Sequence, residues 1–233
     1  LISAYCRSIV SRLDSLEVGD PADYLRENSF ELIAPSRLSN VCVIPSVSPL
    51  SVGRSDGILP EGSSGVELDL SRVLGVDTAM IEGGAFVLLG GPGAGKSTIC
   101  RYIACQTAMK AVDDQGRVPV HVPVRSLLSA GAPDEDRILL VSAALSALRI
   151  GREAREDTAT LIQGIWSRVL LIVDGLDEAA ESGDNVGEQR QSNPPRVLSR
   201  SRIIGCIREL CTDYPDLRVV VTSREADYSW SGA

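Results

Sequence analysis

Lys96 sits in a run, Gly90-Gly91-Pro92-Gly93-Ala94-Gly95-Lys96-Ser97-Thr98, whose residue types and spacing satisfy G-x-x-x-x-G-K-[ST]. The chemistry served by that spacing is polyphosphate binding. Glycines let backbone N–H groups turn inward around phosphates more closely than side chains could, and the N-terminus of a following helix adds partial positive charge. Lys96 then reaches the β- and γ-phosphates, and the Ser97 hydroxyl ligates Mg²⁺. The alternative is a glycine-rich turn carrying a chance lysine. The flanking segments argue against it: Ala85 to Leu89 reads as a buried strand and Ile99 to Val112 as a helix, so the loop has the strand–loop–helix setting that phosphate binding requires.

Acids form the second candidate group. Val169-Leu170-Leu171-Ile172-Val173 is an apolar run ending in Asp174-Gly175-Leu176-Asp177-Glu178. Such a run predicts a central parallel strand that delivers Asp174 at its carboxyl edge, where ligands of open α/β sheets bind. Asp174 is then placed to hold the Mg²⁺ that Ser97 also holds. Asp177 and Glu178 supply carboxylates that could orient and deprotonate a water at the γ-phosphate; the alternative is that they open a helix and offset its dipole. A third run, Arg218-Val219-Val220-Val221-Thr222-Ser223-Arg224, predicts a neighbouring strand that turns Thr222, Ser223 and Arg224 toward the γ-phosphate. Arg224 could stabilise transferring phosphate charge, or it could be an ordinary surface arginine.

These three segments together resemble the NACHT family, a branch of the STAND nucleotide-switch ATPases related to AAA+ proteins. The specific part is Leu170-Leu171-Ile172-Val173-Asp174-Gly175-Leu176-Asp177-Glu178: a small residue directly after the metal-binding aspartate, and another acid two positions on. Residues 116–127, from Gly116 to Leu127, resemble the family's strand between the two nucleotide motifs, and the likeness spans about residues 81–226. The resemblance implies a protein that rests with ADP, exchanges it for ATP, and forms homo-oligomers that switch on an effector. Bacterial members act in signalling and defence, animal members in innate immunity. Family members carry helical and winged-helix segments that close over the nucleotide; here the chain runs only nine residues past Arg224. The resemblance also makes Val43, Ile44 and Pro45 candidates for base contacts.

Composition limits the alternatives. A formal charge of −8, with Lys110 as the one lysine besides Lys96, argues against a nucleic-acid surface. His121 is the sole histidine, which removes zinc sites and most histidine triads from consideration. Six cysteines, at 6, 42, 100, 105, 206 and 211, include no C-x-x-C and read as scattered thiols of a reducing cytoplasm. No apolar stretch has the length of a membrane span, and the lack of an initiating Met suggests a piece of a longer protein. No Asn-Lys guanine reader, no Ser-Gly-Gly-Gln signature and no arginine-rich lid appears, which sets aside GTPases, transporter ATPases and small-molecule kinases. A nucleotide-binding scaffold without turnover, or another AAA+-like P-loop ATPase, stays open.

The elements that must position these residues alternate in a simple order. The patterning predicts strand 85–89, helix 96–111, strand 118–124, helices at about 136–149 and 157–165, strand 168–173, a helix at about 201–213 and strand 217–222. The expected fold is α/β: a parallel-sheet P-loop NTPase of three layers, α/β/α, over residues 81–233, with residues 1–80 as a small N-terminal helical and extended appendage. Within that appendage, residues 1–17 predict an amphipathic packing helix, 18–80 a Pro/Gly/Ser-rich linker or lid, and 41–44 a short extended segment. Glu181 to Arg202 is a long polar insert, with a mobile loop expected over Asn185 to Ser199.

Overall fold

The structure, a computed structural model, describes residues 1–14, 38, 46–47, 68–69, 85–112, 116–129, 136–148, 150, 152–179 and 199–224. Four strands, β3 (Ala85–Leu89), β4 (Val118–Pro123), β5 (Val169–Asp174) and β6 (Arg218–Ser223), form a parallel sheet in the order β3-β6-β5-β4. A separate antiparallel pair joins β1 (Ser46–Val47) to β2 (Leu68–Asp69). Apolar runs such as Leu171-Ile172-Val173 and Val219-Val220-Val221 are buried, as parallel strands covered on both faces must be.

Helices supply the cover. α2 (Lys96–Val112) starts in the phosphate loop and packs on β4 and β5; α3 (Val124–Ser129), α4 (Asp136–Ala147), α5 (Arg152–Gln163) and α6 (Arg200–Asp213) complete the layers. The result is the expected three-layer α/β/α P-loop NTPase fold. Its core is Val, Leu, Ile and Ala with buried free thiols at Cys6, Cys100, Cys105 and Cys206.

α1 (Ile2–Leu13) falls within the 1–17 read from the pattern, with Asp14 as its C-cap and the Asp14 N–H on the Val10 carbonyl; residues 15–17 lie outside the described residues. Its stripe is packing: Tyr5, Cys6 and Ile9 are buried, and the helix lies against α2. The Tyr5 hydroxyl donates to the Pro119 carbonyl of β4 at 2.9 Å, and Arg101 on α2 donates to the Leu13 carbonyl at 3.2 Å. The two edges of the sheet therefore differ. β4 is buried almost throughout, under α1, α2 and α4, whereas β3 has Ala85 exposed and Phe86 and Val87 half-buried.

Element bounds moved most at α5, which begins at Arg152 rather than 157. Its first turn is Arg-Glu-Ala-Arg, so no apolar periodicity appears until the buried Thr158 and Ile162; Arg155 Nε donates to the Ile150 carbonyl at 2.6 Å and anchors that polar start. The Val41–Ile44 extended segment, the proposed base contacts Val43, Ile44 and Pro45, and the 185–198 loop lie outside the described residues. The end of the insert is described: Ser199 caps α6, its side chain accepting from the Arg202 N–H.

Candidate phosphate and metal site

The loop after β3 folds as its glycines require. Gly93 and Gly95 have φ of +75° and +82°, conformations that L side chains rarely adopt, so neither position tolerates a Cβ without strain. α2 begins immediately at Lys96, which directs its first free N–H groups at the loop. Lys96 Nζ donates to the Gly90 carbonyl at 2.6 Å and to the Gly91 carbonyl at 3.0 Å, so the ammonium lies along the loop and close to where phosphates would sit. Loop residues 92–98, Asp174, Gly175, Asp177, Glu178, Thr222 and Arg224 line one open cleft of about 360 Å³. The cleft wall starts at Pro92; Gly90 and Gly91 take part through their carbonyls on Lys96.

Opposite the loop stands Asp174, 7% exposed at the carboxyl end of β5. Ser97 Oγ donates to its Oδ1 at 3.1 Å, joining residues 77 positions apart, and Thr222 Oγ1 donates to the same oxygen at 2.9 Å. Thr222 is itself held: its Oγ1 accepts the Gly175 N–H at 2.8 Å. His121 Nε2 approaches Oδ2 at 3.8 Å, too far for a hydrogen bond, so its influence on the carboxylate is electrostatic. Burial alone would raise the Asp174 carboxyl, but His121, Thr222 and Ser97 outweigh it and hold the group below the ordinary carboxylate range. Deep burial, and after it the same carboxylate, push the Cys100 thiol well up, which keeps it neutral.

A one-turn 3-10 segment, Leu176–Glu178, carries the two remaining acids. It is entered through Gly175 at φ +86°, where an added Cβ would also lie 3.1 Å from Glu178 Cδ. Asp177 Oδ2 is 2.9 Å from Arg224 Nε, and Glu178 Oε1 is 3.7 Å from Arg125 Nη2. Of the three residues predicted to face the γ-phosphate, Thr222 and Arg224 line the cleft; Ser223 does not, being buried with its Oγ on the Arg224 carbonyl at 3.3 Å. Alternation along a strand explains the miss, since neighbours point to opposite faces.

Sequence reasoning overlooked two neighbours of the acids. His121 was read only as an argument against zinc, although a lone polar residue inside Val-Pro-Val-His-Val-Pro was the signal that something polar lay beside β4. Arg125, just past that strand, gave no signal beyond its place at a strand end. For the metal, the donor set fits: the Ser97 hydroxyl and Asp174 carboxylate are hard oxygens suited to Mg²⁺, which would take its other ligands from phosphate and water. Among the described residues no group of three His, Cys, Asp or Glu side chains could hold a metal by itself, and no helix is long and apolar enough to cross a membrane.

Comparison with known proteins agrees with this geometry. The family model of the NACHT domain matches residues 85–229, more than half of the chain. No curated protein matches it. Among solved structures, a chain of the E. coli MS115-1 HORMA:CdnC:Trip13 complex is similar at 19% identity with a TM-score of 0.32, covering 62% of this chain. The chain spans only 42% of that neighbour's length, and so loose a superposition supports no inference. With the family match spanning the loop, acids and strands that build the cleft, the chain belongs to the NACHT-domain family and is a nucleotide-binding P-loop NTPase.

Proposed function

We propose that this protein is an ATP-binding and ATP-hydrolysing switch of the STAND type, in which nucleotide state governs homo-oligomerisation of the full-length protein in cytoplasmic, defence-type signalling. The observation that carries the nucleotide part is the Ser97 to Asp174 hydrogen bond, because it joins the phosphate loop to the acid strand at one point in the cleft. Residues 90–98 cradle the phosphates, with Lys96 on the β- and γ-phosphates. Ser97 and Asp174 would hold Mg²⁺, which when bound neutralises phosphate charge. Asp177 and Glu178 are the acids available to the attacking water, and Arg224 faces the γ-phosphate.

A scaffold reading without turnover has one observation in its favour: each acid among the two residues Asp177 and Glu178 has an arginine beside it, which competes with an attacking water for the carboxylate's lone pairs. Measuring phosphate release from ATP and from GTP by the full-length protein separates the readings. Turnover with ATP supports the switch; tight binding of ATP and ADP with no release supports the scaffold; preference for GTP overturns the assignment of the nucleotide.

A further inference from the structure

Asp177 and Glu178 are adjacent in the chain and line the same cleft, yet their surroundings differ. The Asp177 side chain is 6% exposed, with Oδ2 against Arg224 Nε at 2.9 Å and Oδ1 buried with no hydrogen-bond partner among the described residues. Glu178 is 40% exposed, and its arginine neighbour, at 3.7 Å and 71% exposed, is a solvated and therefore weak tether. A general base must present a lone pair to the attacking water and have that oxygen free to take the water's proton. Asp177 meets neither condition: one oxygen is committed to a guanidinium and the other is sealed from solvent. Glu178 meets both.

We propose that Asp177 is the positioning residue of Arg224, a buried counter-charge that fixes the guanidinium by its Nε edge so that the rest of the fork meets the terminal phosphate, while Glu178 alone acts as base. The inference rests on the ATP-switch reading above. Arginine carries five N–H donors in a rigid fork, so anchoring one edge orients the others. In the hydrolytic step the Glu178 carboxylate accepts a proton as the water oxygen bonds to the γ-phosphorus. The bond from that phosphorus to the bridging oxygen breaks, and its electron pair leaves on ADP. Asp177 takes no part in the proton transfer; its Oδ2 remains on Arg224 Nε.

The test measures two quantities on the full-length protein, the ratio of ATP to ADP affinity by calorimetry and the single-turnover rate at saturating ATP. Asp177→Asn and Arg224→Ala are each expected to reduce the affinity ratio about tenfold, and the double variant to be no worse than either, because the two act as one unit. Glu178→Gln is expected to lower the single-turnover rate about a hundredfold or more while leaving the ratio unchanged. The proposal is overturned if Asp177→Asn leaves the ratio intact and lowers the rate as far as Glu178→Gln, or if the losses of Asp177→Asn and Arg224→Ala multiply in the double variant. Should Asp177→Asn not fold, Glu178→Gln decides by itself: a rate within about threefold of the parent means that another acid is the base, and Asp177 is the remaining one. A parent protein that binds ATP but never hydrolyses it ends the turnover reading and the Glu178 half, while the affinity ratios still decide the Asp177 half.

Discussion

The two walls of the cleft are built on opposite principles. The loop wall, residues 92–98, is largely exposed and made of backbone, with glycines at left-handed φ and a lysine lying along its own carbonyls. The strand wall is buried and made of side chains, with Asp174 fixed by Ser97 and Thr222, and Asp177 fixed by Arg224. A backbone wall is specified by local sequence alone, because each glycine does its work by lacking a side chain. A side-chain wall is specified by which strands become neighbours, and its acids take their properties from partners about 50 to 80 residues away in the chain.

If that contrast is right, the largest loss comes from the one side chain that the loop wall depends on. Lys96→Ala should weaken Mg-nucleotide binding tenfold to hundredfold or more, about 1.5 to 3 kcal/mol, with thermal unfolding close to the parent's because the ammonium touches only loop carbonyls. Calorimetry checks this, and parental affinity would mean that the lysine is no phosphate ligand. On the strand wall the damage should appear in stability instead. Thr222→Val keeps the shape but removes the donor to Asp174 and strands the Gly175 N–H, at about 1 to 3 kcal/mol in urea unfolding.

The same variant sharpens the comparison through pH. Thr222 is among the groups that hold Asp174 below the ordinary carboxylate range, so this carboxylate stabilises the fold above its unfolded value and loses that contribution as pH falls through the folded one. Removing the hydroxyl should move the acid loss of stability to higher pH; an unmoved acid transition would show that Asp174 owes little to Thr222. The smallest effect belongs away from the cleft. Tyr5→Phe should cost about 1 kcal/mol in unfolding, for the lost bond to Pro119, and leave nucleotide affinity unchanged.

The contrast also explains what could be read from sequence. The phosphate loop, the strand before it and Asp174 at the end of an apolar run were legible because each signal is contiguous. Strand order was legible only in part. That β6 neighbours the Asp174 strand was read, and Val221 does lie beside Val173; that β6 also separates β3 from β5, and that Thr222 bonds the Asp174 carboxylate, no spacing along the chain encodes. His121 escaped for the same reason, since only the β4–β5 pairing carries it toward the Asp174 carboxylate. The polar start of α5 was missed because helix-forming residues without an apolar stripe look like loop.

The family match begins at residue 85, but the packing does not. A fragment cut there would lose α1 and leave the face of α2 that it covers open to water, together with an unpaired carbonyl at Pro119 on the edge strand. Bare helix faces and unpaired strand edges are what chains use to stick to one another. Oligomers of such a clipped fragment would therefore report on the cut and not on nucleotide, and assembly experiments belong on chains that keep residues 1–14.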